Sequence, residues 1–309
     1  MREKLVIAFF LTGILSATAQ QGDTISTHGF AADLAKLVKL NNSTPNLINL
    51  SGSEAINLYA NATVEQIIEI TKPYLTSFEL NAKNVCLSLL GDALFKKAKT
   101  ERQKQQLVEV LCMNYLDSDQ DIQVVDNILL QQSQKDFTPA AKEYVSRLLS
   151  PEAKSLDDVC AKLLAVAQIK ESIPALWKFV NKPIETMSLS DVEVLASLAR
   201  MGEKKAGLLL CNYYNYHKNR TDYRYISASK NMVFSLDSAV LHCLIDDFRT
   251  MDISTIFRDG DTGFYPSGYL AEQITSMLNN YPYPKQYKSD PKQLQTWLNE
   301  TTRLELEQK

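Results

Sequence analysis

The sequence predicts an all-α fold of stacked antiparallel helix pairs, and three observations carry that prediction. Apolar residues recur at helical spacing along nearly every segment after residue 28. Serine or threonine followed three residues later by Glu or Gln marks helix starts. A two-helix pattern also returns at a fixed interval. No sheet is expected, because alternating strand-like stretches flanked by turn pairs such as Asn-Gly are missing.

The helical spacing is seen in Leu107, Val110, Leu111 and Tyr115, and again in Val159, Leu163, Val166 and Ala167. Val192, Leu195, Leu198 and Ala199 repeat it, as do Leu241, Leu244, Ile245 and Phe248. Each set leaves one apolar face for a neighbour to cover. Start signals stand at Ser51-x-x-Glu54, Thr63-x-x-Gln66 and Ser190-x-x-Glu193. Earlier segments, 81–117 and 119–149, read as further helix pairs, the first turning near residues 99 and 100.

The interval is 32 residues. Val166-Ala167-Gln168-Ile169-Lys170-Glu171 returns as Leu198-Ala199-Arg200-Met201-Gly202-Glu203. In the second helix Pro174-Ala175-Leu176-Trp177 lines up with Ala206-Gly207-Leu208-Leu209 and then with Ser238-Ala239-Val240-Leu241. Cys211 and Cys243 fall in one column, with Phe179 before them. Small residues open each second helix and let neighbours approach closely, and the large pair behind them fills the space between units. On this register Trp177, Leu209 and Leu241 are core, and Trp297 closes the array.

With the pattern running from Ser197 to Leu208, the repeat resembles the HEAT-like (armadillo-type) helical repeat family, most clearly over residues 155–250. Asp and Arg ladder positions of that family are missing, and the period is shorter than its usual 40 or so. The resemblance implies an α-solenoid, a HEAT-like superhelix, that binds other macromolecules. The expected organisation is a signal peptide at 1–19, an N-terminal helical segment at 20–80, helical repeats at 81–298 and a polar tail at 299–309.

Composition agrees with a folded chain. Of 309 residues 45% are hydrophobic, with only 10 glycines and 10 prolines, which excludes disordered and collagen-like classes. Arg2 and Lys4, the apolar run Leu5 to Leu15 and the small-residue site Ala17-Thr18-Ala19 make a secretory signal cleaved near Ala19. The expected location is therefore periplasmic or extracellular, with no later transmembrane segment. Lys+Arg total 33 against 36 Asp+Glu, a balance that does not point to nucleic acid. Five dispersed cysteines, Cys86, Cys112, Cys160, Cys211 and Cys243, include no CxxC and read as small core residues. Cys86 and Cys112 are expected to be neighbours across a hairpin, more often reduced than bonded.

No motif for a metal or cofactor is present: HExxH, GxSxG, the P-loop and GxGxxG are all missing. His28, His217 and His242 are dispersed. Asp259-Gly260-Asp261-Thr262-Gly263 starts like a calcium loop, but Phe264 replaces the turn glycine and Leu270 the closing glutamate, so it reads as a solvated loop. Asp157-Asp158 and Asp246-Asp247 are paired acids whose members point about 100° apart on a helix, so neither pair shares a face. Tyrosines at 213, 214, 216, 223 and 225, and at 281, 283 and 287, suit either a recognition surface or packing between units. Stepping by 32 puts Lys178, Leu210 and His242 in one outward row and Lys182, Tyr214 and Asp246 in the next. These six are the expected partner-binding stripe, for a protein or peptide rather than nucleic acid. The function expected is a non-catalytic binding scaffold; an enzyme on glycans or peptides with acids from several helices, or a part of a surface assembly, are the alternatives.

Overall fold

The computed structural model describes residues 29–43, 59–76, 80–116, 123–149, 158–219, 224–259, 262–278 and 290–301. The expected signal peptide, the Ser51–Glu54 cap, Arg220, Tyr223 and the tyrosines at 281, 283 and 287 lie outside them. The described chain is helical apart from one small hairpin, and it divides into two compact units, Met1–Arg147 and Leu148–Lys309.

The first unit contains α1 (Phe30–Ser43), α2 (Val64–Leu75), α3 (Leu80–Lys96), α4 (Glu101–Leu116), α5 (Gln123–Leu130) and α6 (Pro139–Ser146). Helix α3 is its centre and packs against α1, α2, α4 and α5. Leu87, Leu89, Leu90, Ala93 and Leu94 bury more than one face of it, as a helix covered on several sides requires. Gly91 admits α5: a Cβ there would lie 2.1 Å from Ile128 Cδ1. Thr63 and Gln66 form the expected capping box at the start of α2. Cys86 on α3 and Cys112 on α4 are buried thiols, and loss of solvent pushes both up to about 12.

The second unit opens with α7 (Asp158–Val166), α8 (Ile173–Val180), α9 (Leu189–Arg200), α10 (Lys204–Asn219), α11 (Arg224–Ser235) and α12 (Ser238–Thr250). Strands β1 (Phe257–Asp259) and β2 (Thr262–Phe264) follow, then α13 (Pro266–Met277) and α14 (Pro291–Glu300). Helices α7, α9, α11 and α13 each pack on the next. Helix α10 packs on α12 and α12 on α14, while α10 also lies against α9 and α11. Helices α10, α12 and α14 therefore make a second row beside α9, α11 and α13, while α8 packs on α9.

Three helix ends in this unit recur every 34 residues rather than every 32. Gln168, Gly202 and Leu236 end α7, α9 and α11 in left-handed backbone, with φ of 57°, 98° and 51°, two steps of 34. Each donates its N–H to the carbonyl three residues back: Ala165, Ala199 and Val233. In the first two, the next N–H also reaches Leu164 or Leu198, which completes a Schellman termination. Side chains link these ends, Gln168 Nε2 donating to the Arg200 carbonyl at 3.1 Å and Arg200 Nη1 to that of Phe234 at 3.1 Å. On the 34-residue register Leu176, Leu210 and Leu244 are all fully buried, and so are Val180, Tyr214 and Phe248. A two-residue error turns a helix by about 200°, so apolar residues still align with apolar residues while the faces are exchanged.

Three further corrections follow from the local chemistry. The box that starts α9 is Ser188 with Asp191, two residues before the expected Ser190. Trp177 is half-buried, its indole N–H donating to Glu203 at 3.1 Å and Lys205 lying 5.2 Å over the ring, so it is not core. A sheet exists: β1 and β2 pair antiparallel with Phe257 opposite Phe264. The two residues between the strands in sequence are Gly260-Asp261, a pair common in hairpin connections.

Candidate functional site

The C-terminal end of α12 carries a buried carboxylate with an open space beside it. Adjacent acids on a helix diverge, and here Asp246 faces solvent while Asp247 turns inward and is 6% exposed. The Tyr214 hydroxyl on α10 donates to Asp247 Oδ2 at 2.5 Å, and the Lys218 ammonium, one turn further along α10, pairs with Oδ1. Tyr225 on α11 packs edge-to-face on Tyr214, with ring centroids 5.6 Å apart. Burial, and then the Asp247 charge, pushes both phenols well above their ordinary range, so both stay neutral donors.

Lys218, Tyr225 and Asp247 form the floor of a cleft of about 240 Å³, walled by Thr250, Met251, Asp252, Thr255 and Pro266. The wall is fixed from outside. Gln295 of α14 donates to the carbonyls of Phe248 and Met251, at 2.7 and 2.8 Å, and Ser267 donates to that of Ile253 at 3.0 Å. Asp252 accepts from the Ser254 hydroxyl and N–H, at 2.7 and 2.9 Å, and those bonds hold its carboxyl below the usual carboxylate range. Ile256 and Tyr265 flank the hairpin, next in sequence to the lining residues Thr255 and Pro266, and are 45% and 55% exposed.

The expected stripe does not form. Lys178, Lys182 and Asp246 are exposed, and Lys182 is paired with Asp191 at 2.9 Å. Leu210, Tyr214 and His242 are buried; on the 34-residue register Leu210 and Tyr214 belong to inward columns, whereas His242 aligns with exposed Leu208. Rows built on that register, Lys178-Asn212-Asp246 and Lys182-Tyr216-Thr250, contain only exposed or half-exposed residues. Tyr213, Tyr214 and Tyr225 pack inside, and Tyr216 is half-buried.

Sequence reasoning missed Lys218, Thr250, Met251, Asp252, Thr255 and Pro266 at the cleft, and placed Tyr225 only in a tyrosine cluster. A partial signal was present in the divergence of Asp246 and Asp247, which requires one of them to face inward. Among the described residues no group of three or more His, Cys, Asp or Glu is placed to hold a metal ion. No helix among them is long and apolar enough to cross a membrane. No family model, curated protein or solved structure matches the chain.

Proposed function

We propose that this protein is an exported helical-repeat scaffold of the α-solenoid kind that binds a protein or peptide without chemistry. On this reading the Asp247 cleft receives one partner side chain. The three helix pairs with common termination at 168, 202 and 236 support the repeat architecture. A 34-residue step is shorter than the HEAT period and equals that of tetratricopeptide arrays, so the class proposed is a helix-pair solenoid, HEAT-like in packing rather than in length.

The cleft's size and its apolar neighbours carry the functional reading. Small-molecule sites run from about 300 to 1,000 Å³, and this cleft falls below that range. It has room for one long or aromatic side chain, with Ile256 and Tyr265 offering apolar contact to the flanking chain. Asp247 is already engaged by a hydroxyl and an ammonium and serves as an anchor for Lys218 rather than as an open acid.

The test is a photocrosslinking residue at Tyr265 in the full chain, made in its native cells. A discrete adduct that disappears when Thr250→Arg fills the cleft supports the reading, with the same probe at exposed Lys170 as control. No adduct, or one indifferent to Thr250→Arg, defeats it. Turnover of a glycan or peptide library by the purified chain, lost in Asp252→Asn, selects the enzyme instead.

A further inference from the structure

Three features place Cys211 on α10 and Cys243 on α12 within reach of one covalent bond. The two thiols are close enough to shift each other's protonation, Cys211 upward and Cys243 downward. Cys211 Sγ also lies 3.9 Å from the carbonyl of Ala239, one turn before Cys243, so this sulfur touches the backbone of the facing helix. Side chains of the facing helix reach α10 one turn earlier: a Cβ on Gly207 would stand 3.2 Å from Asp237 Oδ1 and 3.5 Å from Val240 Cγ2. Helices 8–10 Å apart normally hold cysteine Cα atoms beyond the roughly 7 Å limit of a disulfide. Glycine and alanine at this crossing reduce that separation.

The spacing has the same meaning. On the 34-residue register Cys211 corresponds to Ile245, so residues 32 apart are not equivalent positions. They are facing partners, like Tyr214 and Asp247, which lie 33 apart. Both cysteines are half-exposed, unlike buried Cys86, Cys112 and Cys160.

We propose that Cys211 and Cys243 form a disulfide that ties α10 to α12 beside the Asp247 cleft. The oxidant is a disulfide of the glutathione or thiol-oxidoreductase class, which the compartment proposed above supplies; the chemistry itself can be tested in any compartment. The Cys243 thiolate attacks one sulfur of that disulfide, forms a mixed disulfide and expels a thiolate. Cys211 then gives up its proton, attacks the Cys243 sulfur and expels the second thiolate. The pair loses two electrons and two protons, and the oxidant gains them as two thiols. The same balance holds with the two cysteines exchanged. Four residues separate Cys243 from Asp247, so the bond fixes the helix that carries the cleft floor.

The experiment titrates thiols in the purified chain, denatured after incubation of the folded protein with oxidised glutathione. The count should fall from five to three. A non-reducing peptide map should show the 211- and 243-containing peptides joined, two hydrogens lighter than their sum. Cys211→Ser and Cys243→Ser should each abolish the joined peptide. The oxidised wild type should unfold about 5 °C or more above the reduced form. Five remaining thiols, glutathione adducts alone, or a bond mapped to another pair overturns the proposal, and none of these results bears on whether the cleft binds a partner.

Discussion

Asp247 depends on two donors of different kinds, and each gives a separate test. Tyr214 is held neutral in the fold, with its phenol raised above the unfolded value of about 10. Its contribution is therefore complete below pH 10. Above it stability falls by about 1.4 kcal/mol per pH unit for this one group, because only the unfolded chain releases the proton. Urea midpoints from pH 9 to 11 should decline more steeply in the wild type than in Tyr214→Phe; parallel declines would sink the assignment. Lys218 is about a third exposed, so Lys218→Met, which strands the carboxylate, should cost roughly 1–3 kcal/mol rather than the full penalty of a buried pair. Denaturation at pH 7 measures it, and a neutral result would mean that water solvates Asp247.

Helix termination gives predictions of the opposite sign. Gln168 and Leu236 occupy left-handed positions that Gly202 fills without a Cβ clash. Gln168→Gly and Leu236→Gly should each stabilise by about 0.5–1 kcal/mol, and Gly202→Ala should destabilise by about 1 kcal/mol. Losses of stability in both glycine variants would show that side-chain contacts at those ends outweigh backbone strain. In the helices themselves, Leu244→Ala should cost about 2–5 kcal/mol through the cavity it leaves, whereas half-buried Trp177→Ala should cost about half the 3–5 kcal/mol of a core aromatic. Reversal of that order in chemical denaturation would restore the 32-residue register. Apolar spacing made α9 and α12 legible, since it depends only on local geometry. The Ser188 cap and the β1–β2 hairpin were missed because competing local signals, Ser190 and the calcium-like acids, occupy the same few residues.

For the whole molecule the period itself is the testable quantity. Deleting residues 203–236 joins Gly202 to Asp237 and brings α12 to the place of α10, with Leu244 and Phe248 in the positions of Leu210 and Tyr214. Repeat units contact mainly their neighbours, so this chain should fold cooperatively with proportionally reduced helix content. Deleting residues 205–236, two fewer, should give a chain that aggregates or lacks a cooperative transition, because α12 then meets α9 with the wrong face. Circular dichroism with urea titration distinguishes the two, and equal behaviour would defeat the 34-residue assignment.

The sequence by itself determined that the chain is helical, where most helices lie, and that Thr63 and Gln66 cap one of them. These follow from side-chain periodicity and from hydrogen bonds spanning three or four residues. Only the tertiary structure decided which faces are covered. A two-residue ambiguity in the spacing leaves every apolar match plausible in one dimension, yet it turns Leu210 and Tyr214 from surface to core. The cleft was equally out of reach of the sequence, because Lys218, Tyr225, Asp247, Asp252 and Pro266 come from four helices and a linker and meet only when those elements pack. The alignment of Cys211 with Cys243 was visible from the start; that the two stand on facing helices required the packing of α10 on α12.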